Sequence, residues 1–142
     1  MPYTGQQRAA IKSLDRKICV DAGAGSGKTR VLIDRIVHLI AEGRATLEEV
    51  VAITFTDKAA GEMKQRLRQA FRLRAQQALD RPERMTHWRD LERQVECARI
   101  STIHAFCTGI LREHAIRLGM HPDFSVMAEP ETLLMRHQVV ED

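Results

Sequence analysis

Residues 22–29 read Ala22-Gly23-Ala24-Gly25-Ser26-Gly27-Lys28-Thr29. A run of small residues ending in Gly-Lys-Thr lets successive backbone N–H groups turn inward around phosphate oxygens. A helix opening at Lys28 aims its unsatisfied amides and the positive end of its dipole at the same anion. The spacing follows the pattern G-x-x-x-x-G-K-S/T, with Ala22 in place of the first glycine. Alanine keeps the loop slim but tolerates positive φ less well than glycine. In a loop of this kind Lys28 reaches the β- and γ-phosphates and the Thr29 hydroxyl ligates Mg²⁺. The bland alternative is a glycine-rich turn in which Gly-Lys-Thr is an accident.

Working outward, Ile18-Cys19-Val20 is a short apolar run that stops at the glycines, the pattern of a buried parallel strand. A short helix over about Gly5 to Leu14 precedes it. From Lys28 to Glu42, Leu32, Ile33, Ile36, Val37, Leu39 and Ile40 form one wide apolar stripe, and Gly43 supplies the stop. Val50-Val51-Ala52-Ile53-Thr54 reads as a second buried strand. After it Ala60, Met63, Leu67, Ala70 and Phe71 recur at helical spacing. Pro82 opens a further helix with Met85, Trp88, Leu91 and Val95 on one face. Ile100-Ser101-Thr102 is a third strand candidate, and Ile103, Phe106, Cys107, Ile110, Leu111 and Leu118 make an amphipathic helix closed near Gly119. Strands alternating with helices imply an α/β fold with a parallel sheet.

A last helix is expected from Pro130, with Glu129 and Glu131 where the dipole favours acids. It reaches Asp142 without glycine or a basic last turn, so the natural protein is expected to continue. The 142 residues, 44% hydrophobic and 29% charged, suit one soluble globular domain. No stretch approaches the roughly 18 apolar residues of a membrane span. The opening Met1-Pro2-Tyr3-Thr4 carries no targeting pattern, and the cysteines Cys19, Cys97 and Cys107 are odd in number and far apart, which fits a reducing cytoplasm. A net charge of +3 identifies no partner by itself. Between Lys58 and Arg99, however, lie Lys64, Arg66, Arg68, Arg72, Arg74, Arg81, Arg84, Arg89 and Arg93, a distribution that suits either a surface near nucleic acid or a solvated basic face.

Kinases, GTPases, transport ATPases and helicases all use phosphate loops, so the flanking blocks must narrow the class. Thr4-Gly5-Gln6-Gln7-Arg8-Ala9-Ala10-Ile11 resembles the glutamine motif of superfamily 1 DNA helicases of the UvrD/Rep type. The resemblance places Gln7 at the adenine edge, where an amide can donate and accept together. Ile53-Thr54-Phe55-Thr56-Asp57-Lys58-Ala59-Ala60-Gly61-Glu62-Met63 resembles that family's motif Ia. There Phe55 stacks a base while Thr54 and Thr56 hold DNA phosphates. Taken alone, Phe55 reads more readily as core. Ser101-Thr102-Ile103-His104-Ala105-Phe106-Cys107 is similar to the family's Thr-x-His-Ser/Ala segment and brings His104 to the DNA backbone. No metal spacing joins His104 to His114 or His121. Asp57, where UvrD and Rep usually carry asparagine, and Ile-His-Ala-Phe-Cys over 103–107 lean toward the AddA/RecB-like branch.

The resemblance runs from Thr4 to about Glu131, through Pro122-Asp123-Phe124-Ser125-Val126. It implies a P-loop NTPase (RecA-like) fold: residues 1–128 as the N-terminal part of the helicase ATP-binding domain, and 129–142 as the start of a helix into an insertion subdomain. The nucleotide contacts are Gln7, Ala22, Gly23, Ala24, Gly25, Ser26, Gly27, Lys28, Thr29 and Arg30, with Lys28 and Thr29 catalytic. ATP and Mg²⁺ are the cofactors. The expected partners are DNA, single-stranded or duplex, and a second nuclease-helicase polypeptide, in an ATP-driven 3′→5′ helicase or translocase of repair or recombination. Family catalysis also needs an apolar strand ending in Asp-Glu. Val139-Val140-Glu141-Asp142 has the acids reversed, so these residues are expected to bind nucleotide weakly and not to hydrolyse it. A noncatalytic ATP-gated DNA-binding module and a small-molecule P-loop kinase stay open as alternatives.

Overall fold

A computed structural model describes residues 2–23 and 25–127. The helix expected from Pro130, the insertion it would lead into and Ala24 of the loop lie outside the described residues. Two compact units divide the chain, Met1–Ile103 and His104–Asp142.

In the first unit, α1 (Gly5–Lys12), α2 (Lys28–Ala41), β1 (Val51–Thr54), α3 (Asp57–Gln77), α4 (Pro82–Gln94) and β2 (Arg99–Thr102) follow in chain order, with a 3₁₀ turn over Val95–Cys97 before β2. Helix starts are written locally. Thr4 caps α1 in a reciprocal capping box with Gln7, Thr56 caps α3 by accepting the Ala59 N–H, and Pro82 opens α4 at a position that needs no N–H. The strands β1 and β2 pair in parallel, with Ala52 opposite Ile100 and Thr54 opposite Thr102. The apolar face of α3 lies over one side of this ladder, with α2 and α4 packed on α3: Ile36, Val37, Leu67, Phe71, Trp88 and Val95 are buried in one core with Ala52 and Ile100. Leu67, Phe71 and Val95 are wholly shielded from solvent, and the rings of Phe71 and Trp88 stack with centroids 5.8 Å apart.

Two expectations about the sheet require correction. Ile18-Cys19-Val20 is not a strand: residues 17–23 carry no ladder, and Cys19 and Val20 are exposed. A strand is defined by partners for its N–H and C=O groups; among the described residues β1 and β2 pair only with each other, and this run takes up neither outer edge of the two-stranded ladder. Nor is β1 buried on both faces. Ala52 points into the core, but Val51 and Ile53 are about half exposed, because the helices cover only one side. The phosphate-loop sequence therefore follows an irregular segment, while the α/β character and the parallel pairing stand.

In the second unit, α5 (Ile103–Glu113) begins at the last residue of the first, and a 3₁₀ turn over Ile116–Leu118 ends at Gly119, whose φ of +67° suits glycine. No residue of α5 is buried, and Ile116 and Leu118 are exposed. Among the described residues, no helix is long and apolar enough to cross a membrane.

Candidate functional site

Residues 25–30 carry the turn into α2. Gly25 and Gly27 have φ of +74° and +83°, values that a side chain would strain. A Cβ on Gly25 would meet nothing within 4 Å, so conformation and not crowding asks for glycine there. Alternation of such residues with ordinary ones curls the backbone into an anion-sized nest. Gly27 is the N-cap of α2, and it brings no side-chain cap; the first turn of α2 holds no acid. That sets α2 apart from α1 and α3, whose amides are capped by Thr4 and Thr56. An uncapped helix start presents amides and dipole to an incoming anion.

Lys28 lies at the first position of α2 and folds back over the loop. Its Nζ donates to the carbonyls of Ala22 at 2.5 Å and Gly23 at 2.7 Å. The ammonium is thus parked at the mouth of the turn, exposed, on acceptors that phosphate oxygens could replace. Ser26 braces the turn, its hydroxyl donating to Gly23 O at 2.7 Å. Thr29 follows, half-buried.

Gln7 touches the loop from α1. Its Oε1 accepts the Thr4 N–H at 2.9 Å and its Nε2 donates to Ser26 O at 3.0 Å, directly over Gly27. The residue expected at an adenine edge is thus also a brace between α1 and the loop. Tyr3 and Asp34, which no motif singled out, join the same neighbourhood. The Arg30 guanidinium lies 4.4 Å from the centroid of the Tyr3 ring, and the Tyr3 hydroxyl donates to Asp34 Oδ2. Partial burial raises the Asp34 carboxyl above its ordinary pKa, and the nearby charge of Arg74 opposes that rise. A lone aromatic ahead of the Thr4 cap was the only sequence sign of this cluster.

At the C-terminal end of β1 the Phe55 ring stands fully in solvent, at 103% relative exposure, so core packing is not its role. Its neighbours are tied to the fold: Thr54 Oγ1 donates to Thr56 O at 3.0 Å, while Thr56 Oγ1 accepts the Ala59 N–H at 3.1 Å. The two hydroxyls hold the strand-to-helix corner and leave Phe55 projecting. His104 is exposed near the start of α5, in the other unit.

Part of the basic stretch is engaged within the protein. Glu96 takes Arg68 at 2.5 Å and Lys64 at 3.5 Å, and Glu92 takes Arg72 at 2.7 Å. The Arg68 hydrogen bond, then the Lys64 charge, hold the Glu96 carboxyl below its usual range. This portion behaves as a solvated, ion-paired face. Among the described residues no group of three His, Cys, Asp or Glu side chains could hold a metal ion.

The UvrD/REP helicase N-terminal domain family matches this chain over residues 3–142. Proteins named as ATP-dependent helicase/nuclease subunits are similar to it: that of Syntrophomonas wolfei is 35% identical over 140 residues, and that of Ligilactobacillus salivarius 36% identical over 141. Each alignment covers 99% of this chain and 11% of the relative, so the chain spans about a tenth of those proteins. A third protein so named, from Exiguobacterium sibiricum, is 36% identical over 142 residues, 99% of this chain and 12% of its own length. These names agree with the branch to which Asp57 and the 103–107 segment point. The chain belongs to the UvrD/REP helicase N-terminal domain family.

Proposed function

We propose that residues 1–128 form the N-terminal part of a RecA-like ATP-binding domain and supply the phosphate half of an ATP·Mg²⁺ site, together with the first DNA contacts of a 3′→5′ DNA helicase or translocase. The observation that carries this reading is the uncapped start of α2 behind two positive-φ glycines, with Lys28 folded across the turn. Gly23 to Gly27 wrap the β- and γ-phosphates with backbone amides, Lys28 trades its two carbonyls for phosphate oxygens, and the Thr29 hydroxyl ligates Mg²⁺. Arg30 flanks the base, and Gln7 holds the loop from α1. Phe55, projecting from the end of β1, stacks a DNA base, with Thr54 and Thr56 near the backbone; His104, in the other unit, is a DNA-backbone contact of its own. The free cysteines accord with a reducing cytoplasm.

The acids that hold Mg²⁺ opposite the loop and activate water, and the arginines that stabilise the transferring phosphoryl group, belong to other parts of such a motor. Residues 1–142 by themselves bind ATP·Mg²⁺ weakly and do not turn it over. The relatives' names, which describe subunits that join helicase to nuclease, extend the proposal to a parent protein that works in repair or recombination beside a second polypeptide.

The test is steady-state ATP hydrolysis by the full-length protein with and without single-stranded DNA. Lys28→Ala abolishes turnover. Phe55→Ala keeps ATP affinity and the thermal midpoint, since the ring is fully exposed, but loses DNA stimulation. Turnover surviving Lys28→Ala, or DNA stimulation surviving Phe55→Ala, overturns the corresponding assignment.

A further inference from the structure

The N-terminal arm meets the loop-and-helix junction at two points. One is the Gln7 bond to Ser26 O. The other is Tyr3, which lies across the first turns of α2 with its ring against the Arg30 guanidinium and its hydroxyl on Asp34. Arg30 and Asp34 are one helical turn apart and so share a face of α2. The phenol anchored at Asp34 fixes where the ring stands, and the ring holds the guanidinium carbon 4.4 Å above its centroid. Guanidinium groups are planar and delocalised, and they stack on aromatic faces. Arg30 is exposed and sits two residues beyond Lys28, a short reach from the phosphate end of the site.

We infer that Tyr3 is a positioning residue for base recognition: by holding the Arg30 guanidinium over its ring, it prepares a stacking surface for the adenine of a nucleoside triphosphate. Asp34 is the anchor that keeps Tyr3 in place. This rests on the nucleotide-binding reading above and adds to it a selectivity device that no phosphate-loop motif contains. It also separates the two points of contact: Gln7 braces the phosphate loop, whereas Tyr3 acts on the base alone.

The inference is tested in the full-length protein by measuring binding of ATP and of inorganic tripolyphosphate, which shares the phosphates and lacks the base. Tyr3→Ala weakens ATP binding about three- to tenfold and leaves tripolyphosphate binding unchanged. Tyr3→Phe, which keeps the ring and loses only the bond to Asp34, gives a smaller, equally base-selective loss. Arg30→Lys keeps the charge but removes the plane; in that background Tyr3→Ala has no further effect on ATP. A purely structural staple predicts otherwise: ATP and tripolyphosphate weaken together in Tyr3→Ala and Tyr3→Phe, or neither changes, and either result overturns the inference. Lys28→Ala is the control for the underlying reading. Loss of both ligands there upholds it, whereas retention of both refutes nucleotide binding at this loop and the role of Tyr3 with it.

Discussion

Replacing Gln7 by glutamate separates the two jobs its amide performs. The carboxylate still accepts the Thr4 N–H, now 2.9 Å from Oε1, so the α1 cap survives. It has no hydrogen to offer Ser26 O, now 3.0 Å from Nε2, so two oxygens face each other across the loop. Loss of one neutral hydrogen bond costs about 0.5–1.5 kcal/mol, at the lower end here because the carbonyl can turn to water. The new charge also repels the phosphates it overlooks. A unit pair at contact in water is worth about 1 kcal/mol and less with distance. Together these give about 0.5–1.5 kcal/mol, or roughly two- to thirteenfold weaker binding. The penalty falls on the phosphate end, so titration calorimetry with ATP and with tripolyphosphate should show the same loss for both ligands, with a thermal midpoint close to that of the parent. Base recognition alone would weaken ATP and spare tripolyphosphate. That outcome, or ATP binding within twofold of the parent, refutes the idea that Gln7 braces the loop.

Two further expectations follow from the core and its ion pairs. Phe71→Ala removes a fully shielded ring stacked on Trp88 and should cost about 3–5 kcal/mol, read as an earlier urea transition by Trp88 fluorescence, the chain's only tryptophan; a loss under about 1 kcal/mol would mean the site collapses around the gap. Glu96, held below its ordinary range by Arg68 and Lys64, stabilises the fold at pH above that range and loses the contribution as pH falls through its depressed value. The thermal midpoint of Glu96→Gln should therefore lie below the parent's near neutral pH and converge with it in acid, once pH has fallen through the depressed value. A gap unchanged across that range would show that Glu96 acts through packing.

What could be read from the sequence divides along the range of the interactions concerned. The helix ends at Gly43 and Pro82 were legible because each acts within a turn of itself, and the apolar spacing of α2, α3 and α4 states which face each buries. The sheet was less legible. Val50 to Ile53 and Ile18 to Val20 look alike as apolar runs, yet only the first gains a ladder partner, which lies 48 residues away in the pairing of Val51 with Arg99. Counting basic residues between Lys58 and Arg99 likewise missed that Glu92 and Glu96 engage Lys64, Arg68 and Arg72 from 20 to 32 residues away. Phe55 was ambiguous for the same reason: whether a phenylalanine is core depends on what faces it, and at this corner none of the described residues covers it.

The same division runs through the site and says which substitutions should do what. The proposed phosphate end is assembled within a few residues: Lys28 bonds back to Ala22, six positions away, and Gly25 and Gly27 set the turn between them. Its motif is therefore complete as a string. The other end is made by tertiary contacts, Gln7 to Ser26 across 19 positions and Tyr3 to Asp34 across 31. No string of that kind can be scanned for, because each partner is an ordinary residue until the chain brings it to the other. Changes within 25–29 should thus decide whether any triphosphate is held, and changes at Tyr3 or Arg30 should decide how far the base matters. Gln7, which touches the loop from the distant arm, belongs with the first group. A substitution series that sorted residues by sequence position alone would put Gln7 beside Tyr3; sorted by the atoms they touch, Gln7 falls with Ser26 and Gly27.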